Sequence, residues 1–237
     1  MRRTKTASLL VSTAIGAFLA LGGSARADDL TPNQQLAHDI YKELVEIDTT
    51  TATGNTKLAA EAMAARLKTA GFTDEEVHVF SPAPHKGNLV ARLKGSGARK
   101  PILLVAHLDV VPALREDWSV DPFEFTEQDG YYYGRGTADD KYMASAFVTN
   151  LIRYKQEGYK PDRDIIVALE TDEEIFDRDG LGINWLIRNK RDLIDAEFAL
   201  NEGGGVGLNH LDEAAAKRPA VQPLRPIAEP DALPTVE

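Results

Sequence analysis

The chain has 237 residues, a formal net charge of −10 and no cysteine. The lack of cysteine excludes disulfide bonds, thiolate metal ligands and a cysteine nucleophile, so any metal ion must be held by His, Asp and Glu side chains. The excess of acidic residues argues against nucleic acid or an anionic membrane as a partner, because both bind clustered positive charge.

The first 27 residues have the pattern of a cleavable export signal. A basic start, MRRTK, precedes the apolar segment ASLLVSTAIGAFLALGG, and ARA at 25–27 has the small-x-small form of a signal-peptidase site. A membrane anchor or a buried helix is the alternative, but the segment is short for a membrane span. We predict cleavage after Ala27, a periplasmic or secreted protein and no stable membrane anchor. Cleavage removes four basic residues and no acidic one, which leaves 23 basic against 37 acidic residues.

Residues 28–207 alternate between helical and strand patterns. TPNQQLAHDIYKELVEID and TKLAAEAMAARLKTAG predict two helices, the first with Thr31 as its N-cap and the second ending at Gly71. EVHVF, NLVARLKG and PILLVAH predict strands, and FEFTEQDGYYYG predicts a hairpin that turns at Asp129 and Gly130.

The second half of the chain continues the alternation. DDKYMASAFVTNLIRYKQEG and GINWLIRNKRDLI predict helices, and DIIVALE and AEFALNE predict strands. This order predicts a layered α/β/α domain with a mixed, mostly parallel sheet over residues 28–207. Residues 208–237 are rich in proline and lack hydrophobic periodicity, which predicts a disordered tail.

Acidic residues and a histidine follow the predicted strands in four places. These places, AHLD, GRGTADDK, ETDEE and LNEGGG, contain His107, Asp109, Asp139, Asp140, Asp172, Glu173, Glu174 and Glu202. The carboxyl ends of strands in an open α/β sheet converge on the ligand crevice, so the four stretches are expected to meet. Clustered carboxylates repel one another, and two divalent cations among them would remove that repulsion.

Each stretch also has a simpler interpretation. A lone histidine after a strand is more often a hydrogen-bonded core residue. The presence of Asp109 nearby favours the interpretation of His107 as a metal ligand. A metal-bound imidazole donates its second N–H to a carboxylate or carbonyl, and positions 107 and 109 of a strand face the same way. ADDK would serve as a helix cap, and TDEE as a solvated acidic loop. An EF-hand calcium loop is excluded, because its first ligand would fall on Ile175.

Four motifs in order, HLDVVP, YGRGTADDK, TDEE and LNEGGG, resemble a known family. It is the family of dinuclear zinc metallopeptidases that includes aminoacylase, acetylornithine deacetylase, succinyl-diaminopimelate desuccinylase, glutamate carboxypeptidase and carboxypeptidase S. The resemblance covers about residues 31–207 and implies a zinc-exopeptidase-like catalytic domain. It also implies hydrolysis of amide bonds in small peptides or N-acyl amino acids, and a homodimer for the full-length family.

The resemblance assigns metal ligands to four matching positions. It implies two divalent ions, with Zn²⁺ as the expected metal. His107 and Glu202 would bind one ion, Asp139 would bridge both ions, and Glu174 would bind the second.

The resemblance also implies two catalytic residues. Glu173 would be the general base that takes a proton from the attacking water, and Asp109 would stand behind His107. The neighbouring positions that we regard as supporting or structural candidates are Arg135, Asp140, Lys141 and Asp172.

Two departures from the family pattern keep other hypotheses open. Family members carry a lid domain and a later histidine that binds the second metal, and we expect this chain to be truncated before both. His210 falls in the proline-rich tail instead. The alternatives are an inactive fragment that binds a metal or a partner without turnover, and an acidic module stabilised by calcium.

Overall fold

The computed structural model describes residues 30–202, which form a mixed five-stranded sheet with helices packed on it. The strands of this sheet are β1 (Val77–Ala83), β2 (Lys86–Leu93), β3 (Ile102–His107), β6 (Ile165–Glu170) and β7 (Phe198–Leu200). Their spatial order is β1-β2-β6-β3-β7. β4 (Thr126–Gln128) and β5 (Tyr131–Tyr133) form a separate hairpin.

The helices are α1 (Pro32–Glu46), α2 (Thr56–Thr69), α3 (Lys141–Gln156), α4 (Ile183–Asn189) and α5 (Arg191–Ile194). Single 3₁₀ turns span Arg115–Asp117 and Glu173–Ile175. None of the helices within residues 30–202 has both the length and the apolar character of a membrane span.

The sheet is buried on both faces, which explains the continuous apolar runs in β3 and β6. Val167 and Leu169 of β6 belong to the core cluster formed with α1, α2 and α3. Ile166 and Ala168 point to the opposite face and pack with α4 and α5. Successive residues of a strand point to opposite faces, so both faces of a central strand must be apolar when both are covered. The layered α/β architecture predicted from the sequence is confirmed.

Strand pairing is antiparallel on one side of the sheet and parallel on the other. β2 pairs antiparallel with β1 and with β6, whereas β3 pairs parallel with β6 and with β7. In the β3–β6 pair, His107 lies opposite Glu170, so both strands end at the same edge. That edge carries the candidate site.

Local signals set the ends of several elements. Thr31 caps α1 through a capping box with Gln34, as predicted from TPNQ. Asp129 and Gly130 have φ angles of 54° and 80°, which gives the β4–β5 hairpin the left-handed turn that the Asp-Gly pair predicts. The prediction of one helix over GINWLIRNKRDLI is wrong. Lys190 has φ −140° and separates α4 from α5, and Leu186 and Ile194 on either side of the break pack in the same core cluster.

Glu170, the last residue of β6, gives the fold a pH dependence. Burial raises the pKa of Glu170 to about 8 from 4.5, against the opposing effect of the Ile183 N–H that donates to its carboxylate. Glu170 is therefore neutral in the fold at pH values where it is ionised in the unfolded chain. Its contribution to stability is complete below about pH 4.5 and is lost as the pH rises towards about 8.

Glu170→Gln keeps the acceptor for Ile183 and removes the titration. The difference in free energy of unfolding between Glu170→Gln and the original chain should be more in favour of the variant at about pH 8 than at about pH 5. The change in this difference should be on the order of 2–4 kcal/mol. Urea denaturation at both pH values measures this difference, with Glu157→Gln at the exposed end of α3 as the control. Parallel pH profiles for Glu170→Gln and the original chain would mean that Glu170 is ionised in the fold.

Candidate metal and catalytic site

His107 ends β3 as a buried imidazole whose two nitrogens face different partners. Its Nδ1 lies 2.9 Å from the backbone carbonyl oxygen of Asp109. A carbonyl only accepts, so Nδ1 carries the proton, and in the neutral ring Nε2 keeps its lone pair. Nε2 lies 2.8 Å from Oδ1 of Asp139. This tautomer is the one in which an imidazole binds a metal through Nε2.

The charge state of His107 depends on the carboxylates around it. Burial lowers the pKa of His107, but the hydrogen bonds and charge of Asp109 and the hydrogen bond of Asp139 outweigh burial and raise the pKa to about 10. Two acceptors, Nε2 and a carboxylate oxygen, cannot face each other at hydrogen-bond distance without a positive charge. Either a proton or a metal cation must lie at this place.

Asp109 supports the site in a way that the sequence did not indicate. Its carboxylate oxygens accept the backbone N–H groups of Glu173 and Glu174, each at 3.1 Å. The distance from Oδ1 to Nδ1 of His107 is 3.6 Å. β3 ends at His107, so the same-face argument for positions 107 and 109 does not apply beyond it. The backbone of Asp109 orients the imidazole, and its side chain holds the turn with the two glutamates.

Three of the four predicted metal ligands meet at one point. His107, Asp139 and Glu202 each offer a ligand atom within 4.8 Å of the other two. They come from the end of β3, the loop before α3 and the residue pair after β7. Nε2 of His107 lies 3.6 Å from Oε1 of Glu202. One imidazole nitrogen and two carboxylates form a donor set that suits a divalent transition metal such as zinc.

Asp140 supplies a second sign that this place suits a cation. Among the described residues, neither of its buried carboxylate oxygens has a hydrogen-bond partner. Burial raises the pKa of Asp140 to about 7, with Glu202 and Asp139 adding to the rise and the charge of His107 opposing it. A buried carboxylate without a partner is costly, and a nearby positive ion reduces that cost. The residues present therefore fit a bound metal.

The two glutamates of TDEE lie on the 3₁₀ turn that follows β6. Oε2 of Glu173 is 3.9 Å from Nε2 of His107, and its side chain is 37% exposed. Glu174 lies outside the three-ligand cluster. The pKa of Glu174 is raised, first by burial and then by the charge of Asp139. The structure thus brings Glu173 beside the cluster, and the role of Glu174 as a ligand stays a prediction.

Lys141 and Arg135, two of the supporting candidates, contact other parts of the domain. Lys141 is fully buried and donates from Nζ to the carbonyl of Ile47 at 2.8 Å. Burial lowers the pKa of Lys141 to about 7 against the charges of Asp48 and Asp109. The guanidinium of Arg135 lies over the ring of Trp118, 5.1 Å from its centroid.

Two polar residues of β2 also support the turn and were not predicted. Asn88 is buried, accepts the N–H of Thr171 at 3.0 Å and donates to the carbonyl of Leu181 at 2.8 Å. An amide inside the apolar run NLVARL is the signal that would have indicated it. Lys86 forms an ion pair with Asp172. Nothing in its local sequence distinguishes Lys86 from a surface lysine at the start of a strand.

Comparison with known proteins places this site in a family. Residues 103–215 match the model of peptidase family M20/M25/M40. Over this stretch, the chain belongs to peptidase family M20/M25/M40. The match contains the segments with His107, Asp139, Glu173 and Glu202, so the resemblance predicted from four motifs is confirmed.

The curated relatives that match are longer than this chain. Aminoacylase-1 of Sus scrofa is 32% identical over 168 residues, which are 69% of this chain and 40% of that protein. The N-fatty-acyl-amino acid synthase/hydrolase PM20D1 of Xenopus tropicalis is 46% identical over 80 residues, 34% of this chain and 16% of that protein. The chain thus spans less than half the length of these curated relatives.

The fold of this chain also matches that of a solved structure. Human carnosine dipeptidase 1 superposes with a TM-score of 0.59 over 73% of this chain and 40% of that chain, at 20% sequence identity. At this level of identity the likeness concerns the fold.

Proposed function

We propose that the chain carries the metal-dependent hydrolytic site of an enzyme that cleaves amide bonds in small peptides or N-acyl amino acids. The observation that carries the proposal is the convergence of His107, Asp139 and Glu202 within 4.8 Å in an M20-family chain. The names of aminoacylase-1 and of the N-fatty-acyl-amino acid synthase/hydrolase support N-acyl amino acids as the substrate class.

The proposed cofactor is a pair of divalent metal ions, with Zn²⁺ as the expected metal. His107, Asp139 and Glu202 would hold one ion, and Asp139 and Glu174 would hold the second. When bound, the ions supply Lewis acidity for the scissile carbonyl and lower the pKa of water. Burial keeps the imidazole of His107 in place before a metal binds.

Glu173 is the proposed general base. Its carboxylate lies beside the ligand cluster, 3.9 Å from Nε2 of His107, and is exposed enough to reach a water molecule and a substrate. A carboxylate in this position accepts a proton from the attacking water and delivers it to the leaving amine. Asp109 holds Glu173 through its backbone N–H, which leaves the side chain of Glu173 available for this role.

The test is hydrolysis by the purified chain with defined metal content. We expect zinc-loaded protein to release the amino acid from an N-acetyl amino acid, from an N-acyl amino acid with a longer chain, or from a dipeptide. Chelation should abolish the reaction and added zinc should restore it. A chain that binds zinc and cleaves none of these substrates would contradict the proposed activity.

Metal binding without turnover is the second candidate, favoured by one observation. Within residues 30–202, the single three-ligand cluster provides the donors for one ion, and Glu174 lies outside it. Binding of one zinc per chain by elemental analysis, with no hydrolysis, would support this candidate. His210 and the predicted tail over 208–237 lie outside the described residues.

We also propose that the protein is exported after cleavage behind Ala27. The support is the basic, apolar and ARA pattern of residues 1–27, which lie outside the described part of the structure. The intact mass of protein recovered from an exporting host tests this proposal. A mature chain that begins at Asp28 is expected, and retention of Met1 would contradict it.

A further inference from the structure

We propose that Lys86 is a positioning residue for the turn that carries Glu173 and Glu174. It acts through Asp172, the residue immediately before Glu173. The consequence for catalysis rests on the proposed function, whereas the effect on the turn follows from contacts alone.

Lys86 connects three segments that are distant in sequence. Its Nζ donates to the carbonyl of Thr51 at 2.6 Å and to Oδ1 of Asp172 at 2.6 Å. The side chain of Lys86 is 17% exposed and that of Asp172 is 1% exposed. Ion pairs at this depth are screened little by solvent, so their geometry is held more tightly than that of surface pairs.

The strand end that carries Lys86 is fixed against α2. A Cβ atom added to Gly87 would lie 2.4 Å from Cα of Lys57, so the two backbones are in close contact. The hydroxyl of Thr56 accepts the N–H of Gly87 at 3.1 Å, and the N–H of Lys57 donates to the carbonyl of His85 at 3.2 Å. The backbone at Lys86 is therefore held in place where its side chain extends towards Asp172.

Asp172 begins the turn that carries Glu173 and Glu174. It has φ 67°, a left-handed conformation that is uncommon for a residue with a side chain. Its carbonyl accepts the N–H of Asp177 at 2.8 Å and closes the loop beyond the glutamates. One carboxylate oxygen binds Lys86, and the other has no hydrogen-bond partner within residues 30–202.

Loss of the lysine charge would leave this carboxylate buried without a cation. A buried carboxylate that loses its cation is drawn towards water or towards other donors, which alters the position of its side chain. Because Asp172 adjoins Glu173, such a movement reaches the two N–H groups that bind Asp109. The expected result is a loosened turn on an otherwise intact sheet.

Amide hydrogen exchange of Lys86→Met, measured by NMR, tests the proposal without requiring a metal or a reaction. Protection of the Glu173 and Glu174 amides should fall roughly tenfold or more, while Val167 and Ala168 in β6 change by less than about threefold. Lys86→Arg should restore most of the protection. Lys94→Met is the matched control, because Lys94 follows the other end of β2 and pairs with Asp164 through a side chain that is itself 64% exposed.

Two results would overturn the proposal. Equal loss of protection at the glutamates and in β6 would make Lys86 a contributor to global stability alone, and unchanged protection would show that the turn is independent of it. If Lys86→Met does not fold, Asp172→Asn gives the same comparison with the shape of the side chain retained.

Hydrolysis provides the catalytic readout. Lys86→Met should lower kcat about tenfold at an unchanged KM, since it displaces the base and not the substrate. If Lys86→Met folds and keeps the full kcat, the proposed effect of Lys86 on catalysis is wrong. If the original chain hydrolyses no substrate, the proposed function fails, and amide exchange still decides whether Lys86 positions the turn.

Discussion

Replacement of Glu173 by Gln is expected to lower kcat for amide hydrolysis by about 10²–10⁴-fold, the range typical of a lost general base. Zinc affinity and thermal stability should change little. The reason is that Glu173 lies outside the three-ligand cluster and is tied to Asp109 through its backbone N–H, which glutamine retains. Steady-state kinetics and zinc titration with a competing chelator measure the two effects separately.

The matched control for Glu173→Gln is Glu157→Gln. Glu157 follows α3, forms an exposed ion pair with Arg153, and should tolerate the change without effect. Zinc affinity that falls with Glu173→Gln as much as with His107→Ala would identify Glu173 as a ligand. Full activity of Glu173→Gln would remove it from the reaction.

Asp109→Asn is expected to weaken both the fold and the metal site. Asparagine offers one acceptor oxygen, so one of the N–H groups of Glu173 and Glu174 would face an amide NH₂ instead of a carboxylate oxygen. An unsatisfied buried polar group costs about 1–3 kcal/mol. The variant also removes the negative charge of Asp109. That charge raises the pKa of His107 and of Lys141 against the effect of burial.

Three measurements assess Asp109→Asn. We expect the free energy of unfolding to fall by about 1–3 kcal/mol, and zinc affinity and kcat to fall by about 10–100-fold, as for other residues that support metal ligands. Asp121→Asn is the control, because Asp121 also accepts a backbone N–H, that of Phe123, but at an exposed position. Unchanged zinc affinity in a destabilised Asp109→Asn would limit Asp109 to a role in folding.

The site residues predicted from the sequence differ in how closely the structure gathers them. His107, Asp139 and Glu202 meet within 4.8 Å, and Glu173 lies beside them. Each lies in a stretch that was singled out because acidic residues or a histidine follow a predicted strand, and the family resemblance then implied the role of each residue. The function of Asp109 was expected to concern the imidazole, but its carboxylate binds the turn after β6.

Local sequence determined the elements of this protein and the ends of most of them. The capping box at Thr31, the Asp129–Gly130 turn and the apolar runs of β3 and β6 depend on neighbouring residues, so their pattern can be read along the chain. Hydrophobic periodicity gives the faces of a strand but not its neighbours, because any buried strand satisfies the same pattern.

Tertiary structure decided which residues share the site. Glu202 reaches His107 because β7 pairs parallel with β3, and Lys86 reaches Asp172 because β2 lies next to β6. The break between α4 and α5 at Lys190 likewise depends on tertiary packing, because Leu186 before the break and Ile194 after it pack against the same face of the sheet. Strand order and the meeting of distant side chains arise from the packing of the whole domain, so they are absent from any short stretch of sequence.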